Sequence, residues 1–416
     1  MTDRPARRIL NNLFYLSAGE LLARLAHFAA FAHLARALGP SGFGGVGFAM
    51  TVASYLLIPV LQGYDSVGIR EVARDHRRVE AYAGGILAIR LLSAAAVWLA
   101  LLGALALFPP EPRLGALLAL FGLTLFPAAA SLKWAFQALE RNRPVAVAGI
   151  VAQLIFAAGA FTVRGPDQSL EVPLYLLAGE MAGALLLAGV FCRSVGRLGL
   201  VWDRAQWRAL FRESAPLALS TLLGTLLFNF DVLALAWFRT PAEVGVYTAL
   251  YRLVLLLFAP LTLFQLSIFP TLARAPAGEL KRLAGTALRY LAAVFAPLPV
   301  AGLFAAGPAL GLLFGAEYAA GATALRILLW ALPLMALRSL FRIILVSRDL
   351  QRLDLRAVAA ATVTNVGLDL ILVPGSGVVG AAVSTLSSEV VLLALSWRYL
   401  RSRLWPALAS KEMAGW

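Results

Sequence analysis

The chain has almost none of the residues that build disulfide frameworks and most metal sites. It contains one cysteine, Cys192, and three histidines among 416 residues, which excludes an internal disulfide and leaves no His/Cys metal-site spacing. Charge is also scarce, since 14% of the residues are charged and 61% are hydrophobic, with a mean hydropathy of +0.81. Soluble globular proteins do not have this balance. The composition therefore predicts an all-α polytopic membrane protein.

The sequence also lacks the signatures of catalysis. It has no P-loop, nucleophile elbow, paired-carboxylate motif or metal motif, so we expect a transporter that is not an enzyme and has no cofactor. Energy for transport would then come from a proton or sodium gradient, or from downstream consumption of the cargo. The net charge of +14 would suggest nucleic acid in a soluble chain, but basic cytoplasmic loops explain it here. We therefore expect a lipid bilayer as partner and no nucleic acid.

Apolar runs of about twenty residues, each enough to cross a bilayer, recur along the whole chain and give twelve expected spans. Of the 36 Lys and Arg residues, 24 lie in segments on the N-terminal side of the membrane and three on the other side. This asymmetry predicts that both termini are cytoplasmic. The expected spans are 13–38, 44–64, 83–108, 114–138, 145–163, 173–193, 214–238, 245–270, 284–306, 320–345, 355–373 and 378–400.

The two halves of the chain resemble each other. Pro40–Gly44 matches Pro241–Gly245 at an offset of 201, and Pro59 matches Pro260 at the same offset. Parallel repeats of this kind are a transporter architecture with the substrate site between the lobes. Chance matches in a chain rich in Gly and Pro are the alternative. We expect two pseudo-symmetric six-helix lobes, 1–200 and 201–416, around a central cavity.

Several stretches resemble one family of membrane proteins. They are NNLFYLSAGELLARL, LARALGPSGFGGVGFA and GIREVAR in the first half, and LFRESAPLALSTLLGTLLFNFDVLALAWF, LLFGAEYAAGATALRILLW and TNVGLDLILVPGSGVVGAAVSTLSS in the second. They are similar to Wzx-like polysaccharide repeat-unit flippases, which transport lipid-linked oligosaccharides and belong to the multidrug/oligosaccharidyl-lipid/polysaccharide exporter superfamily. The resemblance implies alternating access, a bacterial inner-membrane location and an undecaprenyl-pyrophosphate-linked oligosaccharide moved from the cytoplasmic to the periplasmic leaflet. A complex with a polymerase or glycosyltransferase is a further expectation.

Two other functions stay open at this point. A multidrug or cation antiporter of the same superfamily would favour an acidic cavity. The expected spans instead hold nine basic residues and five acidic ones when the arginines at their cytoplasmic ends are counted with the loops. A membrane-embedded glycosyltransferase or polymerase would usually carry a large periplasmic loop or a catalytic acidic motif.

An anionic diphosphate cargo requires basic groups inside the membrane, and five residues are candidates for substrate binding. Arg24 lies near the middle of the first span, on one helical face with Glu20 and His27. Its alternative role is an ion pair with Glu20, and a lone buried histidine such as His27 is more often structural. Arg90 could receive the diphosphate at entry or extend to the lipid headgroups, and Arg252 could bind phosphate. Extension to the headgroups is favoured for Lys133, Arg289, Arg338 and Arg342.

Three residues are candidates for ion coupling: Asp231, Asp369 and Asn365. Asp231 lies eight residues before Arg239 and Arg252 eight residues after Val244, so the two are expected at similar depth on antiparallel helices and could form a buried pair. That pair is either static or a switch in which a cation at Asp231 releases Arg252. Asn365 and Asp369 share one face of the eleventh span, where the family resemblance would place a neutral amide at position 369. The alternatives there are an internal hydrogen-bonded pair and a cation site.

Overall fold

The computed structural model describes the backbone of residues 4–275 and 277–404. Side chains are described for residues 24–402 except 262–263, 266–267, 269–271, 273–274, 276–278 and 281. Within these ranges the secondary structure is helical and contains no strand, which confirms the predicted all-α class. The described residues up to Leu222 form one compact unit and those from Leu223 onward form a second.

Most helices of the first unit lie in the predicted apolar runs. The exception is the amphipathic helix Tyr64–Arg74, which occupies a stretch between two expected spans. Short 3₁₀ segments at His76–Arg78 and Pro166–Leu170 precede two of these helices. The helices are α1 (Arg4–Leu61), α2 (Tyr64–Arg74), α3 (Val79–Leu107), α4 (Pro112–Gly122), α5 (Leu125–Ala130), α6 (Lys133–Ala138), α7 (Asn142–Ala160) and α8 (Glu171–Ser194).

A long helix connects the chain of the first unit to that of the second. This helix, α9, starts at Arg204 rather than near residue 214, because the ten residues before the expected span are helical as well. The helices are α9 (Arg204–Phe238), α10 (Pro241–Arg274), α11 (Ala277–Phe295), α12 (Pro297–Phe314), α13 (Ala322–Ser347) and α14 (Gln351–Tyr399).

Two of the long helices are interrupted by a non-helical residue, and in α14 the chain reverses there. In α1 the backbone is non-helical at Gly39, and in α14 it is non-helical at Gly377. A Cβ on Gly380 would lie 2.6 Å from the carbonyl oxygen of Leu372, although eight residues of straight helix would separate the two by about 12 Å. Ten described helices are long and apolar enough to cross a membrane. Two of these, α1 and α14, contain the interruptions, so the described helices agree with the twelve crossings predicted from the sequence when each of the two is counted as two crossings.

Gly377 should be intolerant of a side chain. Its φ of 51° and ψ of −129° disfavour any L-residue, and a Cβ there would meet the carboxylate of Glu243. We expect Gly377→Ala to destabilise the protein by about 1–3 kcal/mol and to lower its unfolding temperature in detergent. Gly375→Ala is the matched control, because it lies two residues away with nothing within 4 Å of its Cβ position. Equal stability of the two variants would contradict this account of the hairpin.

Two spans that the sequence predicted as continuous helices are broken. The expected span 114–138 is divided into α4, α5 and α6, and the expected span 284–306 lies across α11 and α12. Pro127 and Pro297 lie at or beside these breaks, because proline removes a backbone hydrogen bond and its ring clashes with the preceding turn. Pro59, Pro260 and Pro333 remain inside their helices. A proline within an apolar run therefore does not by itself show whether the helix bends there or ends there.

Candidate functional site

The second unit contains a buried carboxylate, Asp231, that receives hydrogen bonds from three different helical segments. Tyr247 donates its hydroxyl to Oδ2 at 2.5 Å, and Thr385 donates to the same oxygen at 3.0 Å. Asn365 Nδ2 donates to Oδ1 at 3.2 Å. Asp231 is 1% exposed. Three donors converge on one buried acidic side chain, which satisfies much of its hydrogen-bonding capacity away from water.

A second carboxylate, Asp369, faces Asp231 within this cluster. Asp369 is fully buried, and neither of its side-chain oxygens has a hydrogen-bond donor in the part of the chain that the structure describes. The side-chain oxygen of Asn365 is likewise without a donor there. Two carboxylates in such a place cannot both carry an uncompensated negative charge. Either one of them holds a proton or a cation lies between them. We call Asp231, Asn365, Asp369, Tyr247 and Thr385 the carboxylate cluster.

The hairpin in α14 explains why these residues meet. Asp369 lies eight residues before Gly377 and Thr385 lies eight residues after it, so the reversal brings the two to the same depth. Asn365 lies one turn from Asp369 on the same face. The cluster offers carboxylate, amide and hydroxyl oxygens, which suit a hard monovalent cation or a proton. No group of three or more His, Cys, Asp or Glu that could hold a metal ion occurs among the described residues.

The predicted ion pair between Asp231 and Arg252 is not among the ion pairs of the described residues, and Asp231 is instead bonded within the carboxylate cluster. The equal distances of Asp231 and Arg252 from the turn between their helices predicted that the two lie at the same depth. They did not predict the helical face on which each side chain lies. Arg252 follows Tyr247 by five residues, which places it about 140° around α10 from the tyrosine that contacts Asp231. Arg252 is half-buried on that other face. The choice between a static pair and a switch at Arg252 therefore no longer arises.

The first unit contains a buried guanidinium, that of Arg90. It lies eleven residues after the start of α3, is 1% exposed, and has Nη2 2.7 Å from Oδ1 of Asp65. Its Nε makes no hydrogen bond within the described residues. Tyr64 lies nearby, and burial raises the pKa of its hydroxyl while the positive charge of Arg90 acts in the opposite direction. Arg90 is therefore directed to a partner inside the protein, and the alternative of extension to the lipid headgroups is wrong.

The predicted face of the first span is described in part. Arg24 is half-buried in α1. Nδ1 of His27 lies 2.5 Å from Oε1 of Gln153, and its ring packs against Phe31 and Phe156 at centroid distances of 4.7 and 5.4 Å. These contacts are those of a histidine packed between helices, and its role at the substrate stays a prediction. The side chain of Glu20 lies outside the described residues.

Comparison with known proteins places the chain in a family. Residues 9–275 match the family model described as polysaccharide biosynthesis protein. The chain belongs to this family. The comparison with curated proteins finds no match.

Solved structures show the fold of this family member. An inward-facing multidrug resistance MATE transporter of the MOP superfamily matches with a TM-score of 0.74 at 15% identity, over 93% of this chain and 96% of that one. The lipid II flippase MurJ, in an inward closed conformation, matches with a TM-score of 0.73 at 14% identity, over 94% and 88%. A MOP superfamily transporter from Pyrococcus furiosus matches with a TM-score of 0.62 at 15% identity, over 95% and 96%. The chain is a multi-pass membrane protein with the fold of these transporters and of this flippase.

Sequence reasoning missed two residues of the carboxylate cluster in this family member, Tyr247 and Thr385. The equal-depth argument used for Asp231 and Arg252 would have found Thr385, because its distance from Gly377 equals that of Asp369. No comparable signal identifies Tyr247, since its contact depends on the rotation of α10. The three predicted ion-coupling residues, Asp231, Asp369 and Asn365, do lie together.

Proposed function

We propose that this protein is a flippase that moves undecaprenyl-pyrophosphate-linked oligosaccharide repeat units from the cytoplasmic to the periplasmic leaflet of the bacterial inner membrane. Membership of the polysaccharide biosynthesis family supports the substrate class. The buried guanidinium of Arg90, with an unbonded Nε inside a membrane-spanning helix, is the observation that carries the proposal. A diphosphate that leaves water needs such charge-assisted donors, and Arg24 and Arg252 are the other two candidates. Both termini lie in the cytoplasm in this proposal.

We further propose that a proton or sodium gradient drives transport through the carboxylate cluster. The support is the pair of facing carboxylates, Asp231 and Asp369, whose charge state depends on a bound cation or proton. Binding would remove their repulsion and favour one conformation over the other, which is how a ligand shifts a two-state equilibrium. Alternate exposure of the substrate groups to the two sides of the membrane would follow. A polymerase or glycosyltransferase remains the partner we expect.

A multidrug or cation antiporter is the second candidate. The facing carboxylates favour it, because a cationic drug would also be attracted to buried acidic groups. The multidrug resistance transporter among the structural neighbours shares only the fold at 15% identity. The two candidates differ in cargo charge, so transport decides between them.

The deciding experiment uses purified protein in proteoliposomes. A fluorescent undecaprenyl-pyrophosphate-linked oligosaccharide is placed in one leaflet, and its arrival in the other is measured by lectin or quencher access. A parallel assay measures uptake of a fluorescent organic cation against a proton gradient. The proposal expects transfer of the lipid-linked sugar and no cation accumulation, whereas accumulation of the organic cation without sugar transfer establishes the antiporter.

Arg24→Ala should reduce sugar transfer by about tenfold or more, the factor expected when one charge-assisted hydrogen bond to phosphate is lost. Protein level and unfolding temperature should stay near those of the wild type, because Arg24 is only half-buried. Arg36→Ala is the control, since it removes an exposed arginine from the same helix, three turns further along. Wild-type transfer by the Arg24 variant would remove this residue from the substrate site.

A further inference from the structure

The second unit holds a buried ion pair that the proposed site does not use. Nε of Arg338 on α13 lies 3.2 Å from Oε2 of Glu389 on α14, and the two residues are 7% and 1% exposed. The two atoms face each other without the alignment of a hydrogen bond. A charge pair inside the membrane is costly unless it has a role or an excellent geometry. The geometry here is not excellent, so a role is the better explanation.

This ion pair lies next to the carboxylate cluster. Glu389 follows Thr385 by four residues on α14, and Phe228 precedes Asp231 by three residues on α9, so each lies on the same helical face as a residue at the cluster. Cζ of Arg338 lies 5.9 Å from the ring centroid of Phe228. The pair is therefore about one helical turn from the cluster, displaced toward the end of the unit where α13 connects to α14.

Arg338 is directed into the unit and not toward the headgroups. Side chains on a helix lean toward its N-terminus, which for α13 is the end away from the α13–α14 connection. The prediction that Arg338 extends to the headgroups is wrong, because the side chain is buried and contacts Glu389 and Phe228. Arg342, one turn further on, has a 61% exposed side chain that pairs with Asp354 at 3.3 Å.

An apolar layer separates these two ion pairs. It consists of Leu227, Ala357, Ala361 and Leu392, which pack together and are at most 3% exposed. Along α14 the order from the cluster is thus Thr385, Glu389 and then Leu392. Polar groups lie on both sides of the layer, and the far side reaches the surface at Arg342, whose side chain is 61% exposed and pairs with the mostly buried Asp354. The arrangement has the order of a gated ion route: a binding site, a fixed charge, a dry constriction and a wet end.

We propose that the Arg338–Glu389 pair and the apolar layer form the gate through which the coupling cation passes between the carboxylate cluster and the α13–α14 end of the unit. Arg338 places a fixed positive charge on the route and repels a cation, while Glu389 holds the guanidinium in place. The apolar layer excludes water from the same route. This inference rests on the proposed function, because it assumes that the cluster binds the cation.

The test measures cation leak through purified protein in proteoliposomes that contain no lipid-linked sugar. ²²Na⁺ uptake and a trapped pH-sensitive dye report sodium and proton flux. The double variant Arg338→Gln/Glu389→Gln removes both charges and keeps polar side chains of similar size. We expect it to raise the leak of one of the two ions about tenfold, because the electrostatic barrier is gone.

The matched control is Arg342→Gln/Asp354→Asn, which neutralises the ion pair on the solvent side of the apolar layer. Its leak should equal that of the wild type. Leu392→Ala opens the layer without touching any charge and should also leak, so a gate can be tested even if the double glutamine variant does not fold. If the folded double glutamine variant and Leu392→Ala both show the cation leak of the wild type, the Arg338–Glu389 pair is a structural contact and the gate is overturned.

A third set of variants separates this inference from the proposed function. Adding Asp231→Asn to the leaking variant should return the leak to the wild-type level, because the route begins at the cluster. A leak that persists with Asp231→Asn would overturn the route while leaving coupling at the cluster intact. Failure of Asp231→Asn to change cation binding in an otherwise wild-type protein would instead count against the proposed function.

Discussion

The Asp231→Asn protein should insert and fold as the wild type does, but sodium ions or protons should no longer stabilise it. At a cation concentration 100 times Kd, a bound cation stabilises the folded state by about 2.7 kcal/mol, and the variant should lose most of this. Asparagine keeps the size of the side chain and an acceptor oxygen for Tyr247 and Thr385. It removes one of the two facing negative charges, so repulsion with Asp369 falls and stability without cation should be equal or higher.

Thermal unfolding in detergent measures this effect, with sodium chloride compared with choline chloride and acidic compared with neutral buffer. Asp354→Asn is the control, because it removes a mostly buried carboxylate from the same unit but outside the carboxylate cluster. The control should keep the cation-dependent shift of the wild type. Retention of that shift together with sugar transfer in Asp231→Asn would contradict cation coupling at this cluster.

The sequence was sufficient to predict the depth of the cluster residues but not their faces. Asn365 and Asp369 are four residues apart, and helical periodicity alone places them on one face. Asp231 is at the same depth because it is eight residues from its turn. Rotation about the helix axis depends on packing between helices, which no single segment encodes. For that reason Arg252 was assigned to Asp231, whereas Tyr247 makes the contact.

The same distinction applies to the rest of the fold. Hydropathy and the loop charges predicted twelve crossings. The ten described helices that are long and apolar enough to cross a membrane, two of them interrupted at a non-helical glycine, agree with that number, because a crossing requires only a run of apolar residues. The breaks beside Pro127 and Pro297 were not predicted, since Pro59 and Pro333 occupy similar patterns and leave their helices continuous. Arg338 was also misassigned, because a basic residue near a helix end extends to water only if no acidic partner lies deeper. Glu389 is that partner, and its sequence distance from Arg338 conceals the contact.

Arg90→Gln should reduce transfer of the lipid-linked sugar by about tenfold to a hundredfold, which corresponds to the 1.5–3 kcal/mol of a hydrogen bond to a charged group. We propose that the diphosphate replaces Asp65 as the partner of this guanidinium. Asp65 has a 46% exposed side chain, so water can solvate its carboxylate when Arg90 leaves. The stability cost of Arg90→Gln should therefore be modest, and the loss should be in transport, measured by sugar transfer in proteoliposomes.

Asp65→Asn separates substrate exchange from a static ion pair. If the pair only holds α2 against α3, the two single variants should lose transfer and stability to the same degree, and the double variant should be no worse than either one. If the diphosphate competes with Asp65 for Arg90, Asp65→Asn keeps an acceptor oxygen for the guanidinium while removing the competing charge, and transfer should be maintained or faster. Arg70→Gln is the control, because it removes an exposed arginine that pairs with Glu71 and Glu213 on the surface of the same unit. Equal losses in Arg90→Gln and Asp65→Asn, with parallel losses of unfolding temperature, would assign Arg90 to the scaffold and leave Arg24 and Arg252 as the candidate diphosphate ligands.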